Sequence, residues 1–145
     1  MEQTVWLYFG VIAVLIGLLA VTQLISFNTE RDKQMTMESS LNQLANFCDF
    51  TCLSDVNQFL SQSVPLASGS SVYSTDLNAL CYSYSQKQQC RQCKCPIWDS
   101  NSFPATRKNF RMDLTSETIR SLYSTHTFSC SFLRQREGVT LACTG

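Results

Sequence analysis

Eight cysteines are the residues of this sequence with the clearest potential for chemistry. They are even in number, they all follow residue 47, and five of them lie in two close groups. Cysteines at this density are usually paired as disulfides, which form and persist in oxidising compartments. The sequence therefore predicts a disulfide framework, with these candidate residues: Cys48, Cys52, Cys81, Cys90, Cys93, Cys95, Cys130 and Cys143.

The spacing of the two groups leaves their pairing open. Neighbouring cysteines do not pair easily with each other, so each is expected to reach a different element. One such arrangement joins Cys48 and Cys52 to the group at 90–95 and ties a helix to a sheet. The sequence does not choose between this connectivity and the others.

Two other chemistries are open to the segment CRQCKC at 90–95. Cys90 and Cys93 could form one knuckle of a structural zinc site completed by Cys48, Cys52 or Cys81, although a second C-x2-C pair is missing. Cys90 and Cys93 could also form a redox dithiol, but such dithiols open a helix in a βαβ unit, which this region does not resemble. Disulfides are the favoured interpretation.

The C-terminal segment predicts a disulfide of its own. Two stretches alternate apolar and polar residues, as strands with one buried face do. A polar turn at 134–138 lies between them, and its Gly138 is available for a positive φ. Pairing Cys130 with Cys143 also pairs Phe132 with Leu141. We therefore predict a hairpin with a Cys130–Cys143 disulfide or a direct core contact of the two.

The remaining polar residues favour no catalytic or nucleic-acid-binding site. The acidic residues are scattered, and His126 is the single histidine. The chain balances 11 basic with 11 acidic residues, whereas nucleic-acid binding needs a basic face. Local basic groups at 107–111 and 134–136 are interpreted as solvated turns. We predict no enzyme activity, no catalytic residue, no metal or cofactor and no nucleic-acid partner.

An apolar run near the N-terminus decides where these residues lie. Val5–Phe27 carries no charged side chain, and its 23 residues of helix span roughly the 30 Å of a bilayer's hydrocarbon. A cleaved signal peptide would have a basic start, a shorter apolar core and small residues before the cut. The run therefore predicts an uncleaved signal-anchor at 1–28 that contacts the lipid bilayer, followed by a cysteine-rich domain at 29–145.

Charges and cysteines give opposing predictions for the orientation of this anchor. Arg31 and Lys33 follow the run, which by the positive-inside rule would place the domain in the cytoplasm. Glu30 and Asp32 lie between and beside those cations and weaken that bias. The eight cysteines favour an oxidising compartment. We predict a single-pass protein of the cell membrane with its domain outside the cytoplasm.

The helix is expected to continue beyond the membrane. The segment after Phe27 contains no Gly or Pro up to Cys48, and it places Met37, Leu41, Leu44 and Cys48 on one helical stripe. The sequence predicts one helix from about Val5 to Phe47. Its stripe is expected to pack on the chain's own domain, with a protein partner or self-assembly through the helix as the alternative.

Short segments rich in Ser and Tyr follow, as in a meandering antiparallel sheet. Ser54–Leu60 is predicted as a short helix, and a second short helix is predicted from Thr115 or Ser116 to Tyr123. Pro65 places its strand at a sheet edge. Further strands are predicted around Val72, at Ala79–Ser85 and at Asn109–Leu114, with a turn at 68–70 and a loop at Trp98–Thr106. The predicted fold class is α+β, with the long helix packed on a small disulfide-rich sheet.

This layout resembles that of type IV pilin-like proteins, in particular the small pilin-like, membrane-anchored proteins of archaea. The resemblance rests on VWLYFGVIAVLIGLLAVTQLISF, then SSLNQLANFC, then the closing FSCSFLRQREGVTLAC. In that family the apolar half of the helix packs in a filament core and the globular part faces out. Met1–Thr4 does not form the family's short basic leader, so the resemblance implies an anchor with a pilin-like layout.

These observations predict a non-enzymatic membrane protein that works by contact, in a cell envelope or a pilus-like assembly. Two alternatives share parts of this evidence. One is a membrane-tethered zinc-binding or thiol-redox protein that uses the CRQCKC segment. The other is an accessory protein of a viral envelope.

Overall fold

The computed structural model describes residues 2–75, 78–114 and 125–145, without the side chains of residues 2–5. In this part of the chain one helix precedes eight strands, and the chain divides into two compact units at 1–33 and 34–145. The predicted α+β class is confirmed. The elements are α1 (Glu2–Leu53), β1 (Phe59–Ala67), β2 (Ser71–Ser74), β3 (Ala79–Tyr84), β4 (Lys87–Gln92), β5 (Ile97–Asp99), β6 (Arg111–Asp113), β7 (Thr125–Gln135) and β8 (Gly138–Thr144).

Helix α1 is longer than the sequence predicts at both ends. It ends at Leu53, where the Ser54 side chain donates a hydrogen bond to the carbonyl of Thr51 (2.7 Å) and caps the last turn. Asn57 then adopts a positive φ of 72°, which turns the chain into β1. The short helix predicted at Ser54–Leu60 is therefore wrong, because these residues form the helix end, a turn and the start of a strand.

The first sheet has the strand order β1-β7-β8-β5. Strand β1 lies at its edge and pairs with β7 along its whole length, with Pro65 opposite Thr127. This confirms the edge position predicted from Pro65, which has no N–H to donate to a further strand. Strands β7 and β8 form the predicted hairpin, and β5 joins β8 in parallel.

The second sheet has the order β4-β3-β2-β6. A turn at Gly69, with a φ of 78°, leads from β1 into β2 as predicted. The strands thus form two sheets rather than a single meander. Strand β4 had no counterpart in the sequence-based prediction, and β5 occupies the start of the predicted loop. The helix predicted from Thr115 or Ser116 to Tyr123 lies outside the described residues.

The core of the 34–145 unit joins the second half of α1 to both sheets. The predicted stripe of Met37, Leu41, Leu44 and Cys48 is at most 2 % exposed, which confirms that it packs on the chain's own domain. The ring of Phe47 lies 6.2 Å from that of Phe132 on β7. The stripe shares one core cluster with strand and loop residues that include Val64, Leu66, Val72, Leu80, Tyr82, Ile97, Phe110, Leu114, Phe128, Phe132, Val139 and Leu141.

Gly138 is a glycine because there is no room for a Cβ at this position, not because its backbone has a positive φ. A Cβ at this position would meet the carbonyl oxygen of Pro96 and the indole nitrogen of Trp98. Among the described glycines, Gly69 has a positive φ and Gly138 does not. The expectation that Gly138 supplies a left-handed turn residue is therefore wrong. Gly138 instead allows the β7–β8 hairpin to lie against the segment that leads into β5.

Candidate membrane anchor and disulfide framework

The first candidate site is the apolar part of α1 within the 1–33 unit. Its large apolar side chains are exposed, for example Trp6 at 77 %, Leu19 at 65 % and Phe27 at 68 %. Among the described residues there is one helix long and apolar enough to cross a membrane, and this is it. Its length and polarity are those of a single-pass membrane anchor.

Three Ser and Thr hydroxyl groups in and next to this segment find their partners within the helix itself. Thr22 donates to the carbonyl of Leu19, and Ser26 donates to the carbonyl of Gln23, each at 2.9 Å. Thr29, just beyond the apolar run, donates to the carbonyl of Ile25 at the same distance. Hydrocarbon offers no hydrogen-bond partner, so this internal bonding lowers the cost of placing Thr22 and Ser26 in lipid.

The second candidate site is the disulfide framework of the 34–145 unit. It contains four disulfides, which use all eight cysteines. The pairs are Cys48–Cys93, Cys52–Cys95, Cys81–Cys90 and Cys130–Cys143. Four disulfides in a domain of this size are typical of proteins that fold in an oxidising compartment.

The hairpin register places the last of these pairs as predicted. Cys130 faces Cys143 across β7 and β8, and Phe132 faces Leu141 in the same register. The sulfurs of Cys130 and Cys143 are bonded, so the predicted pair is confirmed. The prediction succeeded because alternation and turn position fix the register of a short hairpin.

The Cys81–Cys90 pair was missed because its second strand is hidden in the sequence. Strand β4 has the sequence KQQCRQ, and all six of its residues are exposed, so it shows no apolar alternation. It pairs with β3 in a register that sets Cys81 opposite Cys90. A turn with positive φ at Ser85 and Gln86 connects the two strands. The available signal was the polar turn-forming segment between two cysteines nine residues apart.

The end of α1 carries the other two disulfides side by side. Cys48 and Cys52 lie one helical turn apart, and their partners, Cys93 and Cys95, are two residues apart in the segment after β4. The Sγ atoms of Cys52 and Cys93, which belong to different disulfides, are 3.4 Å apart. We call these four residues the sulfur cluster. It realises the arrangement that joins both helix cysteines to the 90–95 group.

This connectivity separates Cys90 from Cys93. Cys90 is bonded to β3, and Cys93 is bonded to α1. In this oxidised state the two residues therefore form neither the zinc knuckle nor the redox pair considered from the sequence. A thiol that is held in a disulfide is neither a nucleophile nor a thiolate ligand.

Three arginines of the two basic groups have partners within the chain. Arg107 forms an ion pair with Glu137 (2.6 Å), and Arg111 forms one with Asp113 (2.9 Å). Arg134 donates to the carbonyl of Gly138 (2.9 Å). Arg107 lies outside the helix and the strands, whereas Arg111 lies in β6 and Arg134 in β7, so the interpretation as turns is wrong for these two residues. The Arg107–Glu137 pair lines a shallow open depression beside Phe103.

Packing in the core shifts the pKa of a tyrosine in this unit. Burial, and after it the negative charge of Glu38 on α1, raises the pKa of Tyr82 on β3 above its ordinary value. Both effects favour the neutral phenol. Tyr82 is 3 % exposed and belongs to the core, so this shift follows from packing.

The fold and these two sites define a class of protein: an α+β, disulfide-bonded domain preceded by an apolar helix that is long enough to cross a membrane. Comparison of the chain with protein families, with curated proteins and with solved structures finds no match.

Proposed function

We propose that this chain is a non-enzymatic, single-pass membrane protein whose disulfide-bonded domain acts by contact outside the cytoplasm. The observation that carries the proposal is the contrast between the two parts of α1. Residues 6–27 expose their apolar side chains, whereas the stripe from Met37 to Cys48 is buried against the sheets. A surface as apolar as the first part needs lipid or another apolar surface to cover it.

A charge-insertion experiment tests the anchor. The double variant Ile16→Arg/Leu19→Arg places two cations near the middle of the apolar run, at a cost of about 6 kcal/mol on the translocon insertion scale. The full chain should remain in membranes after alkaline carbonate extraction, and this variant should be released. The matched control is Met35→Arg/Ser39→Arg, because both of these residues are exposed and lie beyond the apolar run. Equal retention of both variants would contradict anchoring by this segment.

Thiol labelling of intact cells tests the side of the membrane. A membrane-impermeant maleimide should label the cysteines only after an impermeant reductant has opened the disulfides. Labelling that requires permeabilised cells, or eight free thiols without reductant, would contradict a domain outside the cytoplasm. The same experiment decides between the cysteine-based and the charge-based orientation.

The proposed contact function is that of a subunit in an envelope or pilus-like assembly, with the apolar helix also serving as an assembly surface. Support for it comes from the pilin-like layout of the sequence and from one helix that continues from Glu2 to Leu53. A photo-crosslinking residue at Leu19 should capture a second copy of the chain or another membrane protein. Crosslinks to lipid alone would agree with membrane anchoring but would refute assembly through the helix.

A further inference from the structure

The sulfur cluster brings four cysteines from two elements to one place. The Sγ atoms of Cys48, Cys52 and Cys93 all lie within 4.8 Å of one another. The fourth sulfur, that of Cys95, is bonded to Cys52. Three of the four cysteines are buried at 9 % exposure or less, namely Cys48, Cys93 and Cys95.

The sulfurs of Cys48, Cys52 and Cys93 are near enough to one another to serve as three ligands of one tetrahedral zinc site. Zinc binds thiolate sulfur at about 2.3 Å, so the sulfurs of a four-cysteine site are about 3.8 Å apart. The contact between the two disulfides, Cys52 Sγ to Cys93 Sγ, is already 3.4 Å. After reduction, each bonded pair of sulfurs has to separate by about 2 Å, which rotation about χ1 supplies.

Contacts other than the disulfides hold the cluster together. The Cys93 N–H donates to the carbonyl of Asn78 (2.7 Å), and the Lys94 N–H donates to the carboxylate of Asp49 on α1 (2.8 Å). Arg91 on β4 donates to the side chain of Asn42 (2.9 Å). Together with the buried stripe of α1, these contacts join the helix to the segment around Cys93 and Cys95 without using a sulfur–sulfur bond.

We propose that the sulfur cluster, once reduced, binds one Zn²⁺ through Cys48, Cys52, Cys93 and Cys95. Two molecules of a dithiol reductant transfer four electrons and four protons to the two disulfides, giving four thiols, and each dithiol becomes a disulfide. Zinc then replaces the four thiol protons, which are released to solvent. The junction of α1 with the segment after β4 is thus closed by two disulfides in an oxidising compartment and by a metal in a reducing one.

The other two disulfides provide an internal contrast. Cys81–Cys90 and Cys130–Cys143 each join two neighbouring strands, with Cα atoms 4.0 Å apart. On reduction each offers two thiolates, whereas a structural zinc site uses four ligands. The proposed site depends on neither pair and is independent of the membrane anchor.

The test uses the full chain in detergent, reduced with a phosphine and kept free of oxygen, with Zn²⁺ and Co²⁺ as probes. We expect one Zn²⁺ per chain, and for Co²⁺ the strong visible absorption of a tetrahedral thiolate complex. Bound Zn²⁺ should protect Cys48, Cys52, Cys93 and Cys95 from a maleimide, while the other four cysteines react, as mapped by peptide mass spectrometry.

Two variants separate this site from the alternatives. Cys81→Ser/Cys90→Ser should bind Zn²⁺ like the parent, which would exclude the Cys90–Cys93 knuckle. Cys52→Ser/Cys95→Ser, whose fold is checked by circular dichroism in the oxidised state, should bind more than about a hundredfold more weakly. Absent stoichiometric binding, uniform maleimide reaction of all eight cysteines, or protection of the strand pairs would each overturn the proposal.

Discussion

The two disulfides of the sulfur cluster should stabilise the fold in a strongly non-additive way. Cys48–Cys93 and Cys52–Cys95 join residues 45 and 43 apart in sequence. Either disulfide alone closes one long loop of the unfolded chain, which in the chain-entropy relation stabilises the fold by about 4 kcal/mol. When one disulfide is present, the second closes only a small ring. This ring consists of the chain from Cys48 to Cys52, the chain from Cys93 to Cys95 and the two disulfides. This ring of about six residues is worth about 2 kcal/mol in the same relation.

Removing pairs of cysteines tests this arithmetic. Cys48→Ala/Cys93→Ala and Cys52→Ala/Cys95→Ala should each lower the free energy of unfolding by about 2 kcal/mol, and the fourfold variant by about 6 kcal/mol. The coupling free energy is therefore about 2 kcal/mol, and local packing losses largely cancel in the cycle. The order of magnitude matters because the whole stability of a small domain is about 5–15 kcal/mol.

The assay is urea unfolding of the full chain in detergent. The chain has two tryptophans, so a Trp6→Phe background leaves Trp98 as the reporter of the 34–145 unit. The reference protein and its three cysteine variants are measured in the same sucrose concentration, which keeps the least stable one folded at low urea. A coupling near zero, or a loss of about 4 kcal/mol for each single pair, would refute the reasoning that the two disulfides share one loop.

Three further predictions concern the core, a glycine and a tyrosine. Leu41→Ala should lower the free energy of unfolding by about 3 kcal/mol, because Leu41 belongs to the buried stripe. The control Met35→Ala, at a side chain that is 56 % exposed, should change it by less than about 0.5 kcal/mol. Equal effects of the two variants in urea unfolding would contradict the burial of the stripe. Gly138→Ala should cost about 1–3 kcal/mol and shift Trp98 fluorescence, because the new Cβ meets Pro96 and Trp98. Gly69→Ala, whose Cβ meets nothing within 4 Å, should cost about 1 kcal/mol through its positive φ and leave that emission unchanged. The pKa of Tyr82 is raised in the folded state, so the neutral phenol contributes to the free energy of unfolding. This contribution is complete below the ordinary pKa of about 10 and is lost as the pH rises through the raised pKa. Stability should therefore fall above pH of about 10, and Tyr82→Phe should lack this part of the decline in alkaline urea titrations.

Local patterns in the sequence account for the parts of the fold that were predicted correctly. The stripe from Met37 to Cys48 repeats at helical spacing, and the residues around Cys130 and Cys143 alternate at strand spacing. Each pattern determines which face of its own element is buried. The hairpin turn is short, so its register followed as well, and with it one of the four disulfides.

Local patterns could not predict the elements whose environment is supplied by distant residues. Strand β4 is polar apart from Cys90 and is a strand because β3 pairs with it along one edge. Strand β5 has three residues and is fixed by its parallel pairing with β8, which follows it by about forty residues. A hydrogen-bonded neighbour far away in sequence leaves no periodic signal in the strand it stabilises.

By itself, the sequence of this protein determined an uncharged run long enough for a bilayer, a helix with one buried stripe and an even set of cysteines. For the other three disulfides, tertiary structure alone decided which cysteine meets which, because a disulfide requires Cα atoms about 4–7 Å apart and that proximity is a property of the packed elements. The packing of α1 against the segment after β4 set Cys48 and Cys52 opposite Cys93 and Cys95. It also brought two disulfides within 3.4 Å of each other, the arrangement from which both the non-additive stability and the proposed zinc site follow.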